Sequence, residues 1–290
     1  MLETILVPTD GSPGAEATIG HAIELATTHG GAVHALSVVD PPSGSATLSA
    51  DDREELSTAS EKRAREMTIR ITDQAEEHGV DAARAVREGV PHEEILAYVD
   101  EHDVDMIVMG THGRTGADRA RLGSTTERVI TLADVPVLSV RLTDDPDVDA
   151  VDGYDRIVVP TDGSDDAERA AEYALDIAEG YDAEVYAVYV VDTTTYALED
   201  APRSIIGLLE EGGRNATETV AEMARERDLD VTTTVRRGDP AAELLEYAPG
   251  VDADLLAMGT RGEAVGTGRL LGSTTARVVR RSEIPVVTLG

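Results

Sequence analysis

Short apolar runs alternate along the chain with stretches whose apolar positions recur every three or four residues, and the alternation occurs twice. Residues 2–8 form the first run and predict a strand. Ser12 and Pro13 follow, a pair suited to a helix N-cap and first turn. Ile19, Ala22, Ile23 and Ala26 then mark one helical face, and Ala171, Ala174, Leu175 and Ala178 repeat it. Gly30 and Gly180 stand where these helices are predicted to stop. A strand over 32–39, a long helix over 53–78 and a strand over 82–87 come next. A helix over 92–102 leads to a strand over 106–110, a helix from Ser124 and a last strand over 135–141. Near-continuous apolar strands separated by helices predict an α/β fold, a parallel sheet covered on both faces.

The second half repeats the first. Ile5-Leu6-Val7-Pro8-Thr9-Asp10-Gly11-Ser12 returns as Ile157-Val158-Val159-Pro160-Thr161-Asp162-Gly163-Ser164, and Val38-Val39-Asp40 as Val190-Val191-Asp192. Gly110-Thr111-His112-Gly113 becomes Gly259-Thr260-Arg261-Gly262, and Leu122-Gly123-Ser124-Thr125-Thr126 becomes Leu271-Gly272-Ser273-Thr274-Thr275. The offset is 152 residues early and 149 later, so one small length change separates the copies. The expected organisation is a domain over 1–142, an acidic linker over 143–153 containing Pro146 and Gly153, and a second domain over 154–290.

Composition narrows the setting. Apolar residues make up 41% of the chain, enough for two cores, but Phe, Trp and Cys are absent. Without cysteine no disulfide forms, which fits a cytoplasmic location. No apolar run is long enough to span a membrane and no signal-peptide pattern opens the chain. Asp and Glu number 57 against 25 Lys and Arg, for a net charge of −32, and the single lysine is Lys62. Such a surface repels nucleic-acid backbones and anionic membranes. It resembles the surfaces of halophilic cytoplasmic proteins, whose self-repulsion concentrated salt screens.

Chemistry is expected at the carboxyl ends of the strands, where open parallel sheets bind ligands. Pro8-Thr9-Asp10 follows the first strand, and Gly110 ends the fourth. In Gly110-x2-Gly113-x9-Gly123-Ser124 the first two glycines let the backbone approach a bulky anion. Gly123-Ser124 opens a helix whose unpaired N–H groups favour phosphate. Ser124 also begins Ser124-x-x-Glu127, a capping-box spacing that the second copy lacks at Ala276.

This chain resembles a tandem universal stress protein, and the likeness covers both halves. Nucleotide-binding members of that family carry Gly-x2-Gly-x9-Gly-Ser/Thr, which both copies match. The resemblance implies two tandem doubly wound domains, each a five-stranded parallel sheet of order 3-2-1-4-5. It implies ATP or another adenine nucleotide as ligand, with Mg or Mn on the phosphates. Val38 and Val190 would then meet adenine, Pro8 and Pro160 would line the pocket, and Asp10 and Asp162, beside Thr9 and Thr161, would bind the adenosine part. Gly110, Thr111, His112, Gly113, Arg114, Gly123, Ser124, Thr125 and Thr126 would hold ribose and phosphates. Their counterparts are Gly259, Thr260, Arg261, Gly262, Gly272, Ser273, Thr274 and Thr275. Family members commonly dimerise through the last strand, which implies an internal pseudo-dimer of the two copies and leaves a homodimer open.

The copies differ where charge matters. Arg114 follows Gly113 and suits phosphate, whereas Glu263 follows Gly262 and opposes it, with Arg261 as a nearby compensation. Tighter binding in the first domain is expected. A nucleotide-dependent regulator is the leading function, ahead of a slow ATPase or phosphotransferase and of a scaffold that binds no nucleotide. Against catalysis, the P-loop lysine is absent, and His112 aligns with Arg261, so no shared step can need an imidazole. The other histidines show no metal-ligand spacing. The acidic runs over 51–55 and 143–149 read as solvated surface.

Overall fold

The computed structural model describes residues 2–40, 49–113, 122–142, 151–194, 202–262 and 270–290. The chain divides into two compact units, Met1–Asp152 and Gly153–Gly290. Arg114 and Glu263 lie outside the described residues, as does most of the expected linker, including the acidic run over 143–149.

In the first unit, five parallel strands, β1 (Thr4–Pro8), β2 (Ala32–Val39), β3 (Ala82–Glu88), β4 (Met106–Gly110) and β5 (Val137–Val140), take the order β3-β2-β1-β4-β5. Between them run α1 (Pro13–Glu16), α2 (Thr18–His29), α3 (Ala50–Glu77), α4 (Pro91–Glu101) and α5 (Ser124–Leu132). Ile5, Leu6, Val7, Ile107 and Val108 are wholly buried on successive positions, because helices cover both faces of the sheet.

The second unit repeats this plan. It contains β6 (Arg156–Pro160), α6 (Asp165–Tyr181), β7 (Glu184–Asp192), α7 (Arg203–Arg225), β8 (Val231–Gly238), α8 (Pro240–Gly250), β9 (Leu255–Gly259), α9 (Ser273–Arg281) and β10 (Val286–Leu289). Its strand order is β8-β7-β6-β9-β10, again all parallel. In both sheets the strand order therefore reverses beside the first strand, at β1/β4 and β6/β9, which opens a crevice over those strand ends. The same side chain fixes this junction in each unit. Asp105 accepts the N–H groups of Glu3 and Thr4 at 2.8 Å, and Asp254 those of Asp155 and Arg156 at 2.9 Å.

Three local expectations need correction. The helix after Ser12 is broken at Ala17, where the Thr18 hydroxyl donates to the Ala15 carbonyl, while its counterpart α6 is continuous. Gly30 ends α2 in the left-handed conformation, but Gly180 lies inside α6 and Asp182 supplies the left-handed cap instead. Ser124 is not an N-cap: Gly123 takes that position without a side-chain bond, so no capping box forms there.

Candidate functional site

The first crevice is built from the end of β1. Thr9 N–H donates to Leu36 carbonyl at 2.8 Å, extending the β1–β2 ladder one residue past the strand. The chain then turns on its own side chains. The Thr9 hydroxyl accepts Gly11 N–H at 3.1 Å, Asp10 Oδ1 accepts Ser12 N–H at 3.0 Å, and Ser12 Oγ caps α1 through Ala15 N–H at 3.2 Å. The second unit repeats each bond with Thr161, Asp162 and Ser164, at 3.1, 3.1 and 3.3 Å. These short-range bonds explain why Thr-Asp-Gly-Ser holds one shape in both places.

Across the crevice, the glycine loop is tied at its base. Gly123 N–H donates to the Thr111 carbonyl at 2.9 Å, and the Thr126 hydroxyl donates to the Gly110 carbonyl at 2.8 Å. Gly272 and Thr275 make the equivalent bonds to Thr260 and Gly259, both at 2.8 Å. Thr126 and Thr275 thus commit their hydroxyl protons to closing the loop. The first turns of α5 and α9 carry no side-chain cap, so their N–H groups are left for water or a ligand.

Two glycine positions show how closely the walls approach. A Cβ on Gly113 would stand 2.6 Å from Asp10 Oδ2, and one on Gly262 would stand 2.5 Å from Asp162 Oδ2. In both units the aspartate is therefore packed directly against the loop, and any side chain there would displace it. A Cβ on Gly110 would stand 2.5 Å from the Gly14 carbonyl oxygen, whereas at Gly259 the nearest backbone atoms lie at 3.1–3.2 Å.

A cleft of about 510 Å³ opens between these walls in the first unit. That is within the usual size range for small-molecule sites. It brings together Pro8, Thr9, Asp10, Val38, Gly110, His112, Gly113, Gly123, Ser124, Thr125 and Thr126. Thr111 is buried behind the loop. His112 bonds through Nδ1 to the Thr111 hydroxyl at 3.0 Å, while its buried Nε2 has no partner among the described residues.

Further lining comes from residues that the loop motifs do not mark. Ser37, Val39 and Asp40 belong to the end of β2, and Pro91 and Ile95 to α4. One long face of α3 contributes Leu56, Ala59, Ser60, Arg63, Ala64 and Met67. Their helical spacing was available as a signal, but not which face would meet the crevice. Arg63 is the single residue of fixed positive charge among the described lining residues.

In the second unit Pro160, Thr161, Asp162, Val190, Gly259, Thr260, Arg261, Gly262, Gly272, Ser273, Thr274 and Thr275 occupy the matching positions on β6, β7, β9, α9 and their connections. The surroundings differ. Asp166 stands where the first unit has Gly14, and its carboxylate holds Arg261 Nε at 2.9 Å while also meeting Arg169. Ser37, whose hydroxyl donates to the Thr9 carbonyl at 3.0 Å, is replaced by Tyr189. That ring packs against α7, where a Cβ on Gly213 would stand 2.5 Å from it. On α7 Gly212 takes the place of Arg63, and Ile205 and Leu208 are exposed. No helix among the described residues is long and apolar enough to cross a membrane.

Comparison with known proteins agrees with this repeated architecture. The model of the universal stress protein family matches residues 1–141 and again 153–289. A universal stress protein of Methanocaldococcus jannaschii is 41% identical over 139 residues, covering 47% of this chain and 82% of that protein. One from Mycolicibacterium smegmatis is 27% identical over 302 residues, covering 98% of this chain and 96% of that one, so it shares the tandem length. Among solved structures, a universal stress protein of Archaeoglobus fulgidus covers 100% of this chain, with 96% of its own length matched. Its TM-score is 0.73 at 24% identity, a likeness of fold. With the family's model matching both halves of the chain, this protein belongs to the universal stress protein family.

Proposed function

We propose that the chain is an adenine-nucleotide-binding regulator, with ATP as the ligand and occupancy of the first crevice as the signal. The observation that carries this reading is the convergence of Asp10, the Gly110–Gly113 loop, the uncapped start of α5 and Val38 on one cleft. The residues fit the group. Gly113 leaves room only for a backbone beside Asp10, and the start of α5 offers N–H donors to phosphate. The buried His112 Nε2 supplies a further polar atom at the loop. The bound nucleotide would supply charge and shape that draw α3, α4 and the loop onto one object. An occupied and an empty protein would then present different surfaces to a partner.

Among the described residues no group of three or more histidines or carboxylates could hold a metal. A Mg or Mn ion would therefore be carried on the phosphates. Binding without efficient turnover is the expected behaviour. Asp10 accepts Ser12 N–H and packs on Gly113, and Asp162 is held the same way against Gly262, which supports a role as a wall of the pocket. The test is to denature the purified protein and identify the small molecule released. ATP in stoichiometric amount is expected; no released nucleotide, together with no binding on addition, would overturn the reading.

A further inference from the structure

We infer that Arg63, on α3, is the phosphate-recognising residue of the first crevice and sets the ligand class there as a nucleotide with a charged tail rather than a nucleoside. This rests on the nucleotide reading of the crevice and deepens it.

The placement follows from one stripe of α3. Residues 63, 67 and 70 are spaced by four and three, so they share a helix face. At the lower end of that stripe Arg70 pairs with Glu16 of α1. In the middle, Met67 abuts the turn after β1, since a Cβ on Gly11 would clash with its sulfur. Arg63 is one turn nearer the start of α3 on the same stripe, and it lines the cleft. The same cleft is lined by Asp10, Gly113 and Ser124.

Electrostatics select its role. Carboxylates outnumber cations more than twofold in this chain, and three arginines of the first unit each meet one. Arg65 meets Glu61, Arg70 meets Glu16, and Arg87 meets Glu94 and Glu101. Arg63 is exposed and has no ion pair among the described residues, although Asp10 and Asp40 line the same cleft. A planar guanidinium in a cleft that also holds a glycine loop and an uncapped helix start matches phosphate oxygens, which it can bind in pairs. In the second unit Gly212 stands at the equivalent position, and Arg261, a cation of the second loop, is held by Asp166.

The experiment follows hydrogen exchange at residues 110–113 of the full chain during titration with ATP and, separately, adenosine. Arg63→Gln is expected to weaken ATP about tenfold or more and leave adenosine unchanged. Arg63→Lys, which keeps the charge but not the fork, is expected to lie between. Arg63 is exposed, so the fold should persist, and an unchanged circular dichroism spectrum checks it. Equal ATP affinity in wild type and Arg63→Gln would overturn the inference and leave the nucleotide reading intact. So would equal losses of ATP and adenosine, which would place Arg63 against base or sugar. A wild-type chain that binds neither ligand would overturn the nucleotide reading and this inference with it.

Discussion

The two halves are one design with two electrostatic outcomes. Their strand orders, their Thr-Asp-Gly-Ser turns and their loop clasps repeat one another, and Ser164 Oγ adds one bond to Asp162 Oδ1 at 2.6 Å. The differences lie in what surrounds those shared parts. The first crevice has Gly14, Ser37, His112 and Arg63, where the second has Asp166, Tyr189, Arg261 and Gly212. Two different affinities are therefore expected from one shared loop, because the loop supplies neutral N–H donors and the neighbours supply the charge. Among the described residues, Arg63 of the first half has no ion pair, whereas Arg261 of the second is held by Asp166.

The halves also differ in how acid should affect them. All seven histidines fall between residues 21 and 112, and none lies in the second half. Burial lowers His21 to about 4 from its ordinary value of 6.5. Burial also lowers His34, with the nearby charge of His102 as a second cause. A histidine depressed in the folded state stays neutral while the unfolded chain takes up a proton. Stability is therefore complete above about pH 6.5 and is lost as pH falls from there toward 4.

The largest expected effect tests this difference. His21 alone should remove about 3 kcal/mol of first-half stability between pH 7 and pH 4. His21→Leu should flatten that dependence, read as the change in unfolding free energy with pH. An unaltered pH profile in the variant would show that His21 is not the group responsible. Backbone approach gives the next contrast. Gly110→Ala drives a methyl onto the Gly14 carbonyl and should cost about 1–3 kcal/mol, while Gly259→Ala should cost less than about 1 kcal/mol. Equal costs in denaturant titrations would mean that the two loop bases are packed alike.

A smaller effect should follow from releasing the second crevice's cation. Asp166→Gly frees Arg261 and is expected to raise second-site ATP affinity about threefold to tenfold. Gly212→Arg, placed where an added Cβ meets nothing within 4 Å, should add a similar or smaller gain. Unchanged protection of residues 259–262 by ATP in both variants would remove charge as the cause of the asymmetry. The net charge of −32 gives one further expectation for the whole chain. Thermal stability should rise from low to molar potassium chloride as self-repulsion is screened, and equal Tm values would contradict it.

Much of this architecture was legible in the sequence because it depends on local patterns. Apolar runs located the strands, and duplication confirmed each one by its copy. The loop glycines stood out by their spacing, while their expected role toward a ligand came from the family resemblance. What escaped depended on packing between distant segments. Arg63 sits in a long polar helix, and its direction is set by where Met67 and Arg70 meet α1 and the turn after β1. Nothing near Arg63 in sequence encodes that register. Asp166 is a first-turn acid of α6, a kind of residue that favours a helix start, and its hold on Arg261 spans 95 residues. The sequence-based contrast rested on Arg114 and Glu263, outside the described residues. The described differences are Arg63 against Gly212 and the Arg261–Asp166 pair.

The central claim is that the same fold holds a stronger nucleotide site in its first half than in its second. Hydrogen exchange across an ATP titration of the intact chain measures both sites at once. Residues 110–113 and 122–126 should become protected at a lower ATP concentration than residues 259–262 and 270–275. Protection of both sets at one concentration, or of the second set first, would contradict the account.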